Sequence, residues 1–321
     1  MRIDKTTLSL FCVVLIISIC IAFAESGVGT NAGNFLKIGS GARAIGLGET
    51  FVSISDDPSA LYWNPAGLTQ SERPKVLFSY NRWLEDLSHG FVGVNSKPYD
   101  WGIFGVGITY LSLSDMDAYD EYDKIIGKTN AHDLAAMFAY ARDFTINGYP
   151  VAFGVSYKYL NQKLDDSTAG AHAIDLGILS HFLDGRLHVG LAIQNLVSSK
   201  IRFYVAEANL ERVLRFGVSY TKDILGGRDF LVSTQLDLDE NRMRFGIGTE
   251  LEVYDPFVIR IGYRQRDIGT GISAGFGVVI HEINIDYALS NYEEFDYTHM
   301  VTISMALENF KLKKKKEFNY E

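Results

Sequence analysis

Cysteine is almost absent, and where the few cysteines sit decides what that means. The 321-residue chain has two, Cys12 and Cys20, both inside an N-terminal stretch that reads as an export signal. Arg2 and Lys5 precede the almost wholly apolar run Leu8–Phe23, and Ala22-Phe23-Ala24 supplies a small-residue cleavage pattern before Glu25. Ile19 stands where lipid attachment to Cys20 would call for a small residue. A mature chain without cysteine excludes disulfides, thiol catalysis and thiolate metal sites, although the protein is exported.

Long apolar runs are missing as well. After residue 24 nothing approaches the ~20 residues of a spanning helix, so a membrane location requires a barrel. Positive charge is short: 30 Lys and Arg stand against 39 Asp and Glu, a net charge of −9. Loss of residues 1–24 removes Arg2, Lys5 and Asp4 and brings it to −10. So acidic an exported chain excludes nucleic acid as a partner. The seven histidines are scattered, with no short-range His/Glu or His/Ser constellation and no zinc-helix motif. The expectation is a protein that is not an enzyme, with no catalytic residue, no metal and no cofactor.

What the chain has in abundance is alternation. In Arg242–Tyr254, "RMRFGIGTELEVY", Met243, Phe245, Ile247, Thr249, Leu251 and Val253 share one face, and Arg242, Arg244, Gly246, Gly248, Glu250 and Glu252 share the other. Fourteen such segments follow one another: 75–81, 88–97, 101–114, 129–142, 149–162, 171–182, 186–195, 211–221, 229–238, 242–254, 256–266, 271–280, 283–291 and 298–308. Most have the length of a tilted membrane-spanning strand, and their number is even. With the barrel entered from the periplasm, the longest connections, Asp115–Lys128, Lys163–Gly170, Leu196–Leu210 and Tyr292–Tyr297, all fall on the outer side. "KPYD", "LDGR", "YDP" and "HE" make tight turns on the other side. Alternation alone also fits a soluble sandwich. Strand length, loop parity, the export signal and tyrosines near strand ends (Tyr110, Tyr157, Tyr159, Tyr220, Tyr254, Tyr263, Tyr287) favour the barrel.

The fold expected is all-β: a 14-stranded antiparallel transmembrane β-barrel with a short N-terminal plug segment. Residues 1–24 are the signal peptide, 25–74 the plug, 75–310 the barrel and 311–321 a basic periplasmic tail, "KLKKKKEFNYE". The location that follows is the bacterial outer membrane, among its lipids. Arg215, Arg242, Arg244, Glu250, Glu252, Arg260, Arg264, Arg266 and Asp286 fall on the inward, charged faces. They line a polar conduit or, the preferred reading, form cross-strand ion-pair ladders.

Residues 25–74 do not alternate. "GSGARAIGLGETF" matches a loose G-x-G-x-x-A, but no strand precedes it and no βαβ unit follows, so it reads as a close-packed glycine-rich segment and not a dinucleotide site. "SDDPSALYWNPAGL" parses as two short helical turns. Asp57 caps the first, with Pro58 at its first position; Asn64 caps the second, with Pro65 at its first position and Gly67 closing it. Such a knuckle presents Leu61, Tyr62 and Trp63, and about fifty residues without disulfides need barrel walls to pack against.

Ser40–Leu68, "SGARAIGLGETFVSISDDPSALYWNPAGL", resembles the N-terminal signature of the PorV/PorQ family, relatives of the FadL-type (OMPP1-type) outer-membrane transporters. In the wider family a segment containing Asn-Pro-Ala plugs a fourteen-stranded barrel, and Asn64, Pro65 and Ala66 stand at those positions, followed by Gly67. The resemblance implies a component of type IX protein secretion that binds secreted cargo or other envelope subunits. Kinship to FadL implies the alternative, passive diffusion of hydrophobic small molecules; a purely structural barrel is the third reading. The outer connections are short for a cargo platform, and the chain runs on past Phe310, the aromatic residue on which such a barrel would end.

Overall fold

The computed structural model describes residues 31–82, 87–119, 122, 124–164, 167–203, 206–224, 227–239, 242–265, 270–292 and 295–307. The signal segment, Arg266, Phe310 and the basic tail lie outside them. Fourteen strands close into one antiparallel barrel. They are β1 (Lys75–Arg82), β2 (Ser88–Asn95), β3 (Ile103–Tyr119), β4 (Ile125–Ile146), β5 (Tyr149–Leu164), β6 (Ser167–Phe182) and β7 (Leu187–Ser198). The second half is β8 (Val213–Ile224), β9 (Arg228–Leu238), β10 (Met243–Tyr254), β11 (Phe257–Gln265), β12 (Thr270–Ile280), β13 (Ile283–Tyr292) and β14 (Phe295–Ala306). Sequence neighbours pair throughout, and β14 returns to β1 with His299 opposite Arg82 and Ala306 opposite Lys75. That closing seam carries eight registered pairs, as do β1–β2 and β2–β3, so no edge is left open.

The faces settle the choice between barrel and sandwich. Phe78, Tyr80, Phe138, Tyr157, Ile259, Ile261 and Ile303 point out and are exposed, while their strand neighbours face in and are buried. An apolar outer surface over a polar, glycine-rich interior fits lipid outside. All seven tyrosines named above except Tyr287 are among the exposed large side chains.

The connections differ from the expectation. Strands β3 to β6 run on to 16–22 residues and take up most of Asp115–Lys128 and Lys163–Gly170. The β2–β3 pairing stops at Ser88–Ser112 and the β4–β5 pairing at Ala131–Leu164, so the β3–β4 hairpin projects past its neighbours at the end away from the tight turns. On β4 the outward apolar positions run from Leu134 to Ile146. At ~3.3 Å per residue and a ~40° tilt that covers about 30 Å, the thickness of a hydrocarbon core. The rest of β4 stands about 20 Å beyond it by the same arithmetic. Length that the sequence assigns to outer loops resides in the wall. The long connection Leu196–Leu210 also gains structure: strands Ile201–Phe203 and Ala206–Leu210 form a small sheet that Asn31–Ala32 joins in parallel.

Candidate functional site in the barrel lumen

From its outer end at Asn31 the N-terminal segment descends through the barrel to β1. It holds a single-turn helix α1 (Ala42–Gly46), a second, α2 (Ala60–Trp63), and 3-10 turns at Asn34–Lys37 and Pro65–Gln70. Each is too short to persist alone, so the wall holds them.

Asp57 caps as expected in kind but not in place. Its Oδ1 accepts from the Ser59 N–H at 2.7 Å, Pro58 lies in the turn before α2, and the helix itself begins at Ala60. Asn64 does what its position predicts: it ends α2 and caps the next turn, accepting from the Ala66 N–H at 3.1 Å, with Pro65 first in that turn. Its amide also donates to the carbonyls of Val52 at 2.9 Å and of Ile178, on β6, at 3.1 Å. Gly67 does not close the turn, which continues to Gln70. A Cβ there would lie 2.3 Å from the Ser55 carbonyl oxygen, so close approach is what glycine serves. Leu61, Tyr62 and Trp63 are buried and present nothing to solvent. Leu61 packs with Leu68 in an apolar cluster that includes Phe91, Ile103 and Met137; the Trp63 indole donates to the Ser40 carbonyl at 2.8 Å.

The segment touches all fourteen strands. Lys75 of β1 reaches the Asp56 carbonyl, and Asn95 of β2 donates to Ser71. Leu61 and Leu68 lie against Gly105 of β3, the Pro65–Gln70 turn against β4, and Ala66 against Gly154 of β5. Asn64 meets β6, Gln194 of β7 donates to the Tyr62 carbonyl, and Arg215 of β8 donates to the Tyr62 hydroxyl. Thr50 meets Ser233 of β9 and Arg43 meets Glu250 of β10. Gly48 presses on Gly262 of β11, and the Gly46 carbonyl accepts from Ser273 of β12. Helix α1 packs on β13, and the Ala42 N–H donates to Thr302 of β14.

The inward charges form two networks. Arg43 donates from Nη1 to both carboxylate oxygens of Asp56 at 2.7 and 2.8 Å and is bidentate to Glu250, through Nε and Nη2, at 2.8 and 2.9 Å. Glu250 also accepts from Arg260, which reaches Asp286 at 2.6 Å. In the second, Asp237 lies between Arg264 and Arg215, with Glu49 at 3.9 Å from Arg264. The Arg215 guanidinium sits 4.9 Å from the ring centres of both Tyr62 and Trp63. Buried groups of this kind are costly unless each is paired, and removing one partner costs about 3–5 kcal/mol. Of the nine inward charges expected to line the lumen, Arg215, Glu250, Arg260, Arg264 and Asp286 thus meet in ion pairs. Arg244 pairs with Asp239 at 2.6 Å. Arg242, just before β10, and Glu252, near its other end, are exposed, and Glu252 accepts from the Asp229 N–H. Arg266 lies outside the described residues. The sequence reading missed Arg43 and Glu49; Asp56 lies 13 residues from Arg43, but Glu250 and Arg264, their partners on the wall, lie some two hundred residues on, and no local spacing signals them.

Burial raises the Asp57 carboxyl above the ordinary range, the neighbouring Asp56 adds to it, and the Ser59 bonds oppose it. A raised carboxyl favours the folded state when protonated, and that advantage is lost as pH climbs from ~4 through the raised value. Asp57→Asn keeps the cap and removes the charge. It should therefore raise the unfolding midpoint of the detergent-solubilised barrel at pH 7.5 and have little effect at pH 4. An equal change at both pH values would refute the electrostatic account.

A closed, lipid-facing fourteen-stranded barrel with its own segment across the lumen defines an outer-membrane β-barrel protein. A family model, that of the type IX secretion system membrane protein PorP/SprF, matches residues 122–305, and the chain belongs to this family. Ser40–Leu68, the stretch that resembles PorV/PorQ, lies outside the matched residues. No curated protein matches in sequence. Among solved structures, the fold is similar to the Ralstonia pickettii toluene transporter TbuX, at TM-score 0.58 and 14% identity over 84% of this chain and 98% of that one. The Pseudomonas putida toluene transporter TodX gives TM-score 0.60 and 11% identity over 84% and 99%. A Pseudomonas aeruginosa FadL homologue gives TM-score 0.50 and 12% identity over 83% and 97%. At these identities the likeness is one of fold.

Proposed function

We propose that this barrel is a non-enzymatic docking component of type IX secretion, related to PorV/PorQ through Ser40–Leu68, that binds exported cargo or other envelope subunits at the outer membrane after cleavage of residues 1–24. The observation that carries the choice is the segment that meets every strand of a wall without open seams. A plug tied all round by buried hydrogen bonds and ion pairs suits a rigid platform better than a standing conduit. The FadL-type alternative, diffusion of hydrophobic small molecules, draws on the toluene transporters of similar fold. Gentle detergent extraction followed by mass spectrometry separates the two. Exported proteins or envelope subunits in stoichiometric amounts are expected; a lone barrel carrying apolar small molecules would reverse the choice.

A further inference from the structure

Above the plug, the outer mouth holds a second arrangement that closing the lumen does not require. Phe35 and Leu36 are inserted into a recess in the inner face of the tall wall, lined by Ala135 of β4, Leu160 of β5 and Ala169, Ala171 and Ala173 of β6. Ile201 and Leu210, from the connection between β7 and β8, close over it. Four buried alanines where a self-sufficient wall would carry larger side chains leave a hole of the size that one aromatic and one aliphatic side chain fill.

The attachments of this piece are few. Asn31–Ala32 pairs in parallel with Asn209–Leu210 over two residues only, and Lys37 forms an ion pair with Glu211. Glycines at positive φ, where the backbone turns most freely, stand within it at Gly33, 72°, and beyond its inner end at Gly41, 91°. Residues 42–70, by contrast, are bound to the wall by buried hydrogen bonds from Ala42, Val52 and Asn64. Residues 31–37 can leave the recess without disturbing what lies below.

We infer that the recess is a docking site for an extended segment of an exported protein, and that residues 31–37 are a resident stand-in which that segment displaces. The stand-in shows what fits: a short strand laid parallel to Ala206–Leu210, followed by two adjacent apolar side chains in the alanine-lined hole. Backbone pairing at a sheet edge supplies affinity and the hole supplies selectivity. The recess lies at the end where β3–β6 rise past the lipid, the outer side on which the secretion reading delivers an exported chain. This inference rests on the secretion reading for the source of the segment, but not for the existence of the site.

The probe is a labelled peptide of residues 31–40, NAGNFLKIGS. In the intact purified chain the resident copy competes from a local concentration of about millimolar, so the peptide binds weakly. Phe35→Ser with Leu36→Ser empties the hole and should tighten peptide binding at least about tenfold. If that pair prevents folding, Leu36→Ala alone serves. A peptide that does not bind the emptied recess, while a scrambled peptide behaves the same, overturns the site.

In cells the stand-in can be locked, because the mature chain holds no other cysteine. Asn31→Cys with Asn209→Cys places thiols at registered partners. The double variant should lose secretion that each single variant keeps. Normal secretion by the locked chain, with peptide binding intact, overturns the exported segment as occupant. Normal secretion by cells lacking the protein altogether would instead overturn the secretion reading and leave the peptide result to judge the recess.

Discussion

A chain lacking residues 31–70 should conduct ions in a planar bilayer where the whole chain does not. The barrel's hydrogen bonds run strand to strand and close on themselves through the β14–β1 seam, so none depends on those residues. What they leave behind is an inner face of glycines and charged side chains, which water can hydrate. Fourteen strands lie between the eight that side chains fill unaided and the sixteen to eighteen that leave an aqueous channel. With Gly105, Gly154, Gly177, Gly190, Gly217, Gly248 and Gly262 facing inward, little of the wall replaces the lost volume. Heat-modifiable migration in gels would show that the shortened chain has folded. A milder change, Asn64→Ala, leaves the buried Val52 carbonyl unsatisfied, at a cost of about 1–3 kcal/mol, removes the bond to the half-buried Ile178 carbonyl, and should give brief openings of the same pore. Equal conductance of whole and shortened chains would show that the segment does not seal the lumen.

That the sequence discloses the wall so fully and the plug's bonds so poorly has a physical cause. In Arg242–Tyr254 a period of two and flanking turn residues are both local, and together they place β10 to within a residue of Met243–Tyr254. The same holds for all fourteen strands in number and order. The upper parts of β3 and β4 escaped because residues 115–119 and 125–128 stand beyond the lipid. Without an apolar face, their polar sequence reads as loop. Asn64 and Pro65 were legible as a cap because capping is a relation between neighbours. Arg43 was not, because Glu250 is its partner only through closure of the barrel. One signal lay unused. Glycine recurs at inward positions on successive strands, as at Gly154 and Gly177 or Gly248 and Gly262, where their absent side chains face the segment's backbone. A wall that faced only water would have no reason to be so bare at one level.

That level is where a single added side chain should do the most damage. Gly262→Val should abolish the folded, heat-modifiable barrel of the whole chain. A Cβ at Gly262 would stand 2.0 Å from the Gly48 nitrogen and 2.4 Å from the Leu47 carbonyl carbon, and no atom on either side is the end of a flexible side chain. Gly48 cannot retreat easily, for its own missing side chain already faces the Tyr263 backbone, 2.7 Å from where a Cβ would be, at a φ of 64°. Overpacking that side-chain shifts can relieve costs about 1–3 kcal/mol, and this contact offers no such relief. Alternation is otherwise satisfied, since valine is a good strand residue and the opposite position on β10 is Gly248. The whole penalty therefore belongs to the segment, and removing the segment should remove it. In the chain lacking residues 31–70, Gly262→Val should fold as well as its parent and conduct similarly. If the substitution is equally harmful with and without the segment, the strand itself requires glycine. Inward glycines would then be a property of the wall alone, and the close fit between plug and barrel would have to be sought in the ion pairs of Arg43 and Glu250 instead.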